Sequence, residues 1–365
     1  MTPWLRLASE LTAFIYARAW ALAGWAIEFA STRLVGRTGR LLGLAAALYV
    51  IKRAAILLLV RYLPVPPAKG VLPAHLLAHA DSRFAEVNGL AVHHTVHGEH
   101  EPALILLHGF AASASSWREV VPTLSAAHTV VAYDRPAFGL TERPVPETLD
   151  GPNPYGREAQ VSLLMGLMDA LEIQRAVLVG HSAGGAVALE TALAHPERVA
   201  GLVLVAPAVY TQGGAPGWLL PALRTKLVRR IGLLLERLIV KRMGARIARR
   251  AWHDPTKLTP QVLDSYLTLF RTEGWDRALW ELVVATTPHN LPDRLAEVTV
   301  PTLVVTGDHD RVVPTAESLR LAEELTNARL ALIEAAGHVP HEEQPAAFLA
   351  AVRGFLAEGY GCQAG

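Results

Sequence analysis

Cysteine occurs once among the 365 residues, as Cys362 near the C-terminus. An intrachain disulfide is excluded, the redox compartment stays open, and nothing points to a thiol nucleophile. Charged residues make up only 18% of the chain and balance to a formal net charge of +1, which excludes a globally basic nucleic-acid binder. No Gly-x-Gly-x-x-Gly follows an apolar run and no Walker sequence occurs, so phosphate-cradling loops are missing. His93, His94, His97 and His100 crowd together. On a strand, however, His94 faces away from His93 and His97, and no cysteine or carboxylate accompanies them at zinc spacing. No metal and no other cofactor is expected.

Also missing is an unbroken apolar run of the roughly 20 residues that a membrane-spanning helix needs. The chain is nevertheless 51% hydrophobic. Leu11 to Ala30 is apolar but broken by Arg18 and Glu28, Ser31 to Arg40 is polar and basic, and Leu41 to Leu63 is interrupted by Lys52 and Arg53. Glu10 and the length of the apolar region argue against a secretory signal. Residues 1–66 therefore read as a hydrophobic helical extension. It is an imperfect transmembrane hairpin, a pair of helices lying in the membrane interface, or an appendage packed on the remainder. Association with a membrane surface is expected, in a protein otherwise cytoplasmic.

Pro64, Pro66 and Pro67 end this region, and the pattern changes. Phe84 to Val87, Asn88-Gly89 and Leu90 to Val96 predict a β-hairpin with a type I′ turn. Short apolar runs follow at Ala103–Leu107, Thr129–Tyr133, Ala176–Gly180, Gly201–Ala206, Thr302–Thr306 and Leu330–Ile333. Helical stretches lie between them at Arg157–Leu171, Gly184–Ala194, Ala316–Thr326 and Pro345–Ala357. Such alternation predicts right-handed βαβ units and a mostly parallel sheet of eight strands flanked by helices.

The alternation breaks between Ala208 and about Leu291, so a helical insertion is expected over one end of the sheet. Leu220, Leu223, Leu227, Ile231, Leu234 and Leu238 recur there at helical spacing, and the other faces carry Arg224, Lys226, Arg229, Arg230, Arg237, Lys241, Arg242, Arg246, Arg249 and Arg250. A basic amphipathic helix suits a membrane surface; a lid with its apolar stripe on the core gives the same pattern. The expected organisation is an extension over 1–66, a core over 67–208 and 292–365, and a helical cap over 209–291.

Gly180-His181-Ser182-Ala183-Gly184 follows a predicted strand and opens a predicted helix. In that context Gly-x-Ser-x-Gly is a nucleophile elbow, which projects the Ser182 hydroxyl above the sheet. A serine hydroxyl needs a histidine to take its proton and an acid to fix that histidine's tautomer. The order for this arrangement is serine, acid, histidine. Two downstream loops qualify, Gly307-Asp308-His309-Asp310 and Ala336-Gly337-His338, both at carboxyl ends of predicted strands.

With these residues in place, the stretch from Phe84 to Glu358 resembles the α/β-hydrolase superfamily, in its lid-bearing branch of esterases, C–C bond hydrolases, cofactor-free haloperoxidases and epoxide hydrolases. The matching motifs are Leu107-His108-Gly109-Phe110, Asp134 to Gly139, Gly180 to Gly184, Gly307 to Asp310, and Gly337-His338 with Glu342, Gln344 and Pro345 behind it. The resemblance implies Asp310 as the acid and His338 as the base, leaving Asp308 and His341 as loop and helix-cap residues. It places the oxyanion-hole amides at Phe110 and Ala183. His181, Trp117 and Trp275 are the expected substrate-binding side chains, with Arg271 a weaker candidate. Serine where relatives that cleave carbon–halogen bonds or epoxides carry aspartate points to acyl transfer. The expected activity is hydrolysis of a carboxylic ester or related acyl bond in a hydrophobic, lipid-like substrate. The same triad also serves C–C bond hydrolysis and perhydrolase chemistry, and a non-catalytic binding protein on the same fold is the reading from another class.

Overall fold

The computed structural model describes residues 21, 45, 47–53, 65–146, 152–211 and 213–360. Most of the expected N-terminal extension lies outside them. The chain divides into two compact units, residues 68–220 with 236–365, and residues 1–67 with 221–235. Among the described residues no helix is long and apolar enough to cross a membrane.

The larger unit is built on eight strands: β1 (Arg83–Val87), β2 (Leu90–His97), β3 (Ala103–Leu107), β4 (Val130–Tyr133), β5 (Ala176–His181), β6 (Val199–Val205), β7 (Thr302–Gly307) and β8 (Ala328–Ile333). They lie in the order β1-β2-β4-β3-β5-β6-β7-β8. β2 is antiparallel to both its neighbours, and every pair from β4 to β8 is parallel. Asn88 and Gly89 both take positive φ, 53° and 75°, as the type I′ hairpin requires.

Every residue of β3, β4, β5, β6 and β7 is buried. A strand covered on both faces needs apolar side chains at odd and even positions alike, which explains the unbroken runs. Along β3 the alternation is visible: Ala103, Ile105 and Leu107 enter one apolar cluster, and Leu104 and Leu106 another. The first cluster is closed by α1 (Arg157–Ala170) and α2 (Ala183–Ala194), through residues such as Leu164, Leu167, Val187 and Leu189. Each such fully buried Leu or Val contributes about 1.5–3 kcal/mol.

Most strands differ from the sequence expectation by one or two residues at an end, and two of these differences have identifiable reasons. Ala206, expected in β6, takes φ 44° and leaves the extended region, so the strand stops at Val205. β8 starts two residues early because it is an edge strand. There Arg329 lies in solvent, and even Leu330 and Leu332 are half-exposed.

Between β6 and β7 the structure is helical: a short turn at Leu220–Leu223, then α3 (Lys226–Ala251), α4 (Pro260–Leu267) and α5 (Trp275–Ala285). The expected apolar stripe is not one continuous helix face. Thr225 breaks it, its hydroxyl accepting from the Val228 amide where α3 begins. Ile231, Leu234 and Leu238 are exposed rather than turned inward. Three further helices follow later in the chain, α6 (Thr315–Glu324), the four-residue α7 (Pro340–Glu343) and α8 (Pro345–Tyr360), and one short helical turn lies earlier, at Val121–Leu124. Phe348, Val352 and Phe355 of α8 seal the second apolar cluster.

Candidate active site

The loops after β3, β5, β7 and β8 all leave the carboxyl edge of the parallel sheet, where register sets Leu107 beside Gly180 and Gly307 beside Ile333. Ser182 stands between β5 and α2 with φ 53° and ψ −119°. A non-glycine residue in that region carries about 1–3 kcal/mol of strain and persists only where its surroundings hold it. They do so here. The Ser182 amide donates to the Val205 carbonyl at 2.9 Å, and the Ser182 carbonyl accepts from Gly185 and Ala208 at 2.9 and 3.1 Å. The flanking glycines are required by close approach. A Cβ on Gly184 would lie 2.3 Å from the Leu107 carbonyl oxygen, and one on Gly180 would lie 2.7 Å from Gly185 Cα.

Asp310 follows β7, and its two carboxylate oxygens do different work. Oδ1 accepts the amides of Val312 at 2.8 Å and Val313 at 3.0 Å. Oδ2 lies 2.7 Å from His338 Nδ1. A carboxylate only accepts, so Nδ1 carries the proton and Nε2 is left as the basic nitrogen. Both side chains are buried. Asp308, two residues earlier, accepts the Ala336 amide at 3.2 Å and pairs with His309, and so serves the loop instead.

His181 links the elbow to the histidine loop. Its Nε2 donates to the His338 carbonyl oxygen at 2.8 Å, and the two rings lie 4.7 Å apart. No hydrogen bond joins Ser182 to His338 in this structure, but His338 is tied through its carbonyl oxygen to His181, the residue next to Ser182. Gly109 packs against the same point: a Cβ there would meet Ser182 Cβ at 3.1 Å. The Phe110 main chain and the Ala183 amide, at the first residue of α2, thus belong to loops that meet at Ser182. The Phe110 side chain is exposed and set edge-on to Phe138 at 5.5 Å.

The loop bearing Phe110 is held from below. His108 Nδ1 donates to the Gly109 carbonyl oxygen at 2.7 Å, while its Nε2 accepts the Arg135 amide at 3.0 Å. Acceptance requires a neutral ring, and burial with Arg135 nearby pushes the His108 pKa down to about 4. Arg135 in turn donates to the His108 carbonyl and to Gln160. Of the crowded histidines, His93 is bound through Nδ1 to Asp134 at 2.7 Å and through Nε2 to Ser82 at 2.8 Å.

The three expected substrate-binding side chains have different fates. His181 is buried and committed to His338. Trp117 and Trp275 are fully enclosed, with no surface left for a ligand or even a water. Trp117 stacks on His341 at 4.4 Å, and Trp275 packs edge-on to Phe270 at 5.0 Å. Both indoles are core residues in this structure. Arg271 is paired with Asp264. His341, expected as a helix cap, is likewise fully buried, between Trp117 and His181.

Sequence reasoning gave no role to two acids behind the site, naming Glu342 only among the matching motif residues and Glu343 not at all. Glu342 is buried against Arg118 Nη1 at 2.6 Å and accepts from the Tyr266 hydroxyl. Burial raises its pKa to about 6 in spite of Arg118. Glu343 is buried beside it and accepts three backbone amides. Two adjacent glutamates in a short helix look solvated in sequence; their one signal is position, just behind the histidine.

Residues 102–345 match the family model for the alpha/beta hydrolase fold. A 2-hydroxy-6-oxononadienedioate/2-hydroxy-6-oxononatrienedioate hydrolase of Pseudomonas putida is 32% identical, over 76% of this chain and 96% of its own. A 2-hydroxymuconate semialdehyde hydrolase of a Pseudomonas species is 31% identical over 70% of this chain and 87% of its own. Among solved structures, the enol-lactonase of Burkholderia xenovorans superposes with a TM-score of 0.63 at 25% identity, covering 75% of this chain and 100% of the other.

Proposed function

Because this chain belongs to the alpha/beta hydrolase fold family, we propose that it is a serine hydrolase acting at an acyl carbon. Ser182 attacks the carbonyl while His338 Nε2 takes the hydroxyl proton. Asp310 holds the imidazolium that forms, and the amides of Phe110 and Ala183 stabilise the oxyanion. His338 returns the proton to the leaving group, giving an acyl-enzyme. Water, activated by the same histidine, then releases the acid and restores Ser182.

The observation that carries this reading is the 2.7 Å contact of His338 Nδ1 with Asp310, in a loop bonded to His181, the residue beside the strained serine. A fluorophosphonate probe tests it. Wild-type protein should be labelled at Ser182 and Ser182→Ala should not; an unlabelled wild type, or equal labelling of the variant, rules the reading out.

We take carboxylic-ester hydrolysis as the leading reaction. Cleavage of a carbon–carbon bond next to a ketone is the second reading, favoured by the names of the relatives above 30% identity. The two differ in the leaving group, an alkoxide in one and an enol-stabilised carbanion in the other, each protonated by His338. Turnover of p-nitrophenyl esters measured beside that of a 2-hydroxy-6-oxo-dienoate separates them.

For the substrate we propose a hydrophobic, lipid-like molecule met at a membrane surface. Support comes from α3, which exposes Ile231, Leu234, Leu238, Ile239, Met243 and Ile247. Its one acid, Glu236, has its pKa pushed up to about 8 by burial and by Asp276, leaving the helix cationic at neutral pH. Flotation with anionic and with zwitterionic vesicles tests this reading. Equal absence of the protein from both vesicle fractions counts against it.

A further inference from the structure

The histidine loop is fastened on its far side to the segment that leaves α3. The His338 amide donates to the carbonyl of Ala251, the last residue of α3, at 2.7 Å. Next to it, a Cβ on Gly337 would lie 2.5 Å from that same carbonyl oxygen and 2.7 Å from the His253 amide nitrogen. The backbones are thus in direct contact, and one side chain closes the joint. Glu343 Oε2 accepts the Gly337 amide at 2.8 Å and the His253 amide at 2.9 Å, while Oε1 accepts the Asp254 amide at 2.6 Å. The carboxylate is buried, and Lys257 Nζ reaches the Glu343 carbonyl oxygen at 3.3 Å. The loop carrying the acid is attached as well, since Arg250 donates to the carbonyl of Arg311, beside Asp310.

We infer that Glu343 is a positioning residue that clamps the His338 loop to the backbone leaving α3, so that the imidazole is placed by the helical insertion as well as by the sheet. The inference rests on the triad reading above. A carboxylate is needed because three amides converge and all of them donate. Glutamine offers one oxygen. With that oxygen toward Gly337 and His253, its NH2 group faces the Asp254 amide, donor against donor; turned round, it deprives two amides. Charge-assisted bonds of this kind are also stronger than neutral ones.

The test compares the wild type with Glu343→Gln and Glu343→Asp, using p-nitrophenyl acetate turnover and the rate of fluorophosphonate labelling. Rates are expressed per active site from the labelling end-point, so that a misfolded fraction drops out. The expected result for Gln is a fall in kcat and in labelling rate of roughly tenfold or more, with KM little changed and the acidic limb of the kcat–pH profile displaced. Asp keeps both acceptor oxygens on a shorter stem and should recover part of the rate; it carries the test if Gln does not fold. Wild-type kcat and pH profile per active site in the folded variants, or an effect confined to KM or thermal stability, overturns the assignment. Failure of the wild type itself to label would instead strike the triad reading.

Discussion

Replacing Asp310 with asparagine should cost far more than the loss of one charge suggests, because the structure fixes how the new amide must sit. Oδ1 accepts two backbone amides and Oδ2 faces His338 Nδ1. Asparagine has a single oxygen. Two donors at about 0.5–1.5 kcal/mol each favour that oxygen at the Oδ1 place. Its NH2 group then points at Nδ1 and donates to it. The ring proton moves to Nε2, the nitrogen that has to accept from Ser182, so the base is held in the inactive tautomer. The corresponding change in a serine–histidine–aspartate triad lowers kcat by about 10⁴, or about 5.5 kcal/mol of barrier. Initial rates of p-nitrophenyl acetate hydrolysis, with Ser182→Ala as the floor and thermal unfolding as the control for folding, measure the effect. Asp308→Asn should stay close to wild type. A result in which Asp310→Asn keeps most of the activity while Asp308→Asn loses it would refute the assignment of the acid.

Three further outcomes follow from the geometry. Gly184→Ala drives a Cβ to 2.3 Å from the Leu107 carbonyl, so it should lower stability by about 3 kcal/mol or prevent folding, read by thermal denaturation. Burial, with His338 and Arg118 adding to it, pushes His341 down to about 3, and neither ring nitrogen has a hydrogen-bond partner. The unfolded chain therefore binds a proton that the native state refuses, and stability falls as pH drops below about 6.5. His341→Phe should remove that loss, gaining about 2 kcal/mol more at pH 5 than at pH 8 in urea unfolding; an equal change at both pH values contradicts the argument. Arg118→Met leaves Glu342 buried without its counter-charge. Glu342 already titrates above its unfolded value, so its ionisation weakens the fold as pH rises through about 4.5 to 6. The variant should lose about 3–5 kcal/mol at pH 8 and recover part of it near pH 5.

The sheet was legible because a strand buried on both faces can only be an apolar run, and the elbow because Gly180, Ser182 and Gly184 report a tight turn directly. Asp310 and His338 were legible as loop residues, but the choice over Asp308 came from family resemblance, since periodicity cannot tell two aspartates in one loop apart. The tryptophans were misassigned because enclosure depends on distant partners. Trp117 meets His341, and nothing local announces a contact across more than two hundred residues. Glu342 and Glu343 were opaque for a related reason. A buried carboxylate is written like a surface one, and only the converging amides and the Arg118 guanidinium reveal it. For α3 the helical spacing of leucines leaves two readings open, a stripe turned onto the core and one turned toward a membrane surface, and spacing alone does not show that several of them look outward.

β6 and β7 pair side by side, so the chain that departs after Val205 re-enters the sheet at Thr302 in the adjoining place. The helical stretch between Ala208, whose amide holds the Ser182 carbonyl, and Leu291, which enters the main apolar cluster, can change in length without one strand changing neighbours. A graft designed on that basis would nevertheless inherit a docking specification. At its seam it must present one carbonyl, where Ala251 now stands, and two amides in the register of His253 and Asp254. Chimeras that respect the sheet and ignore this seam should fold, yet leave their histidine adrift.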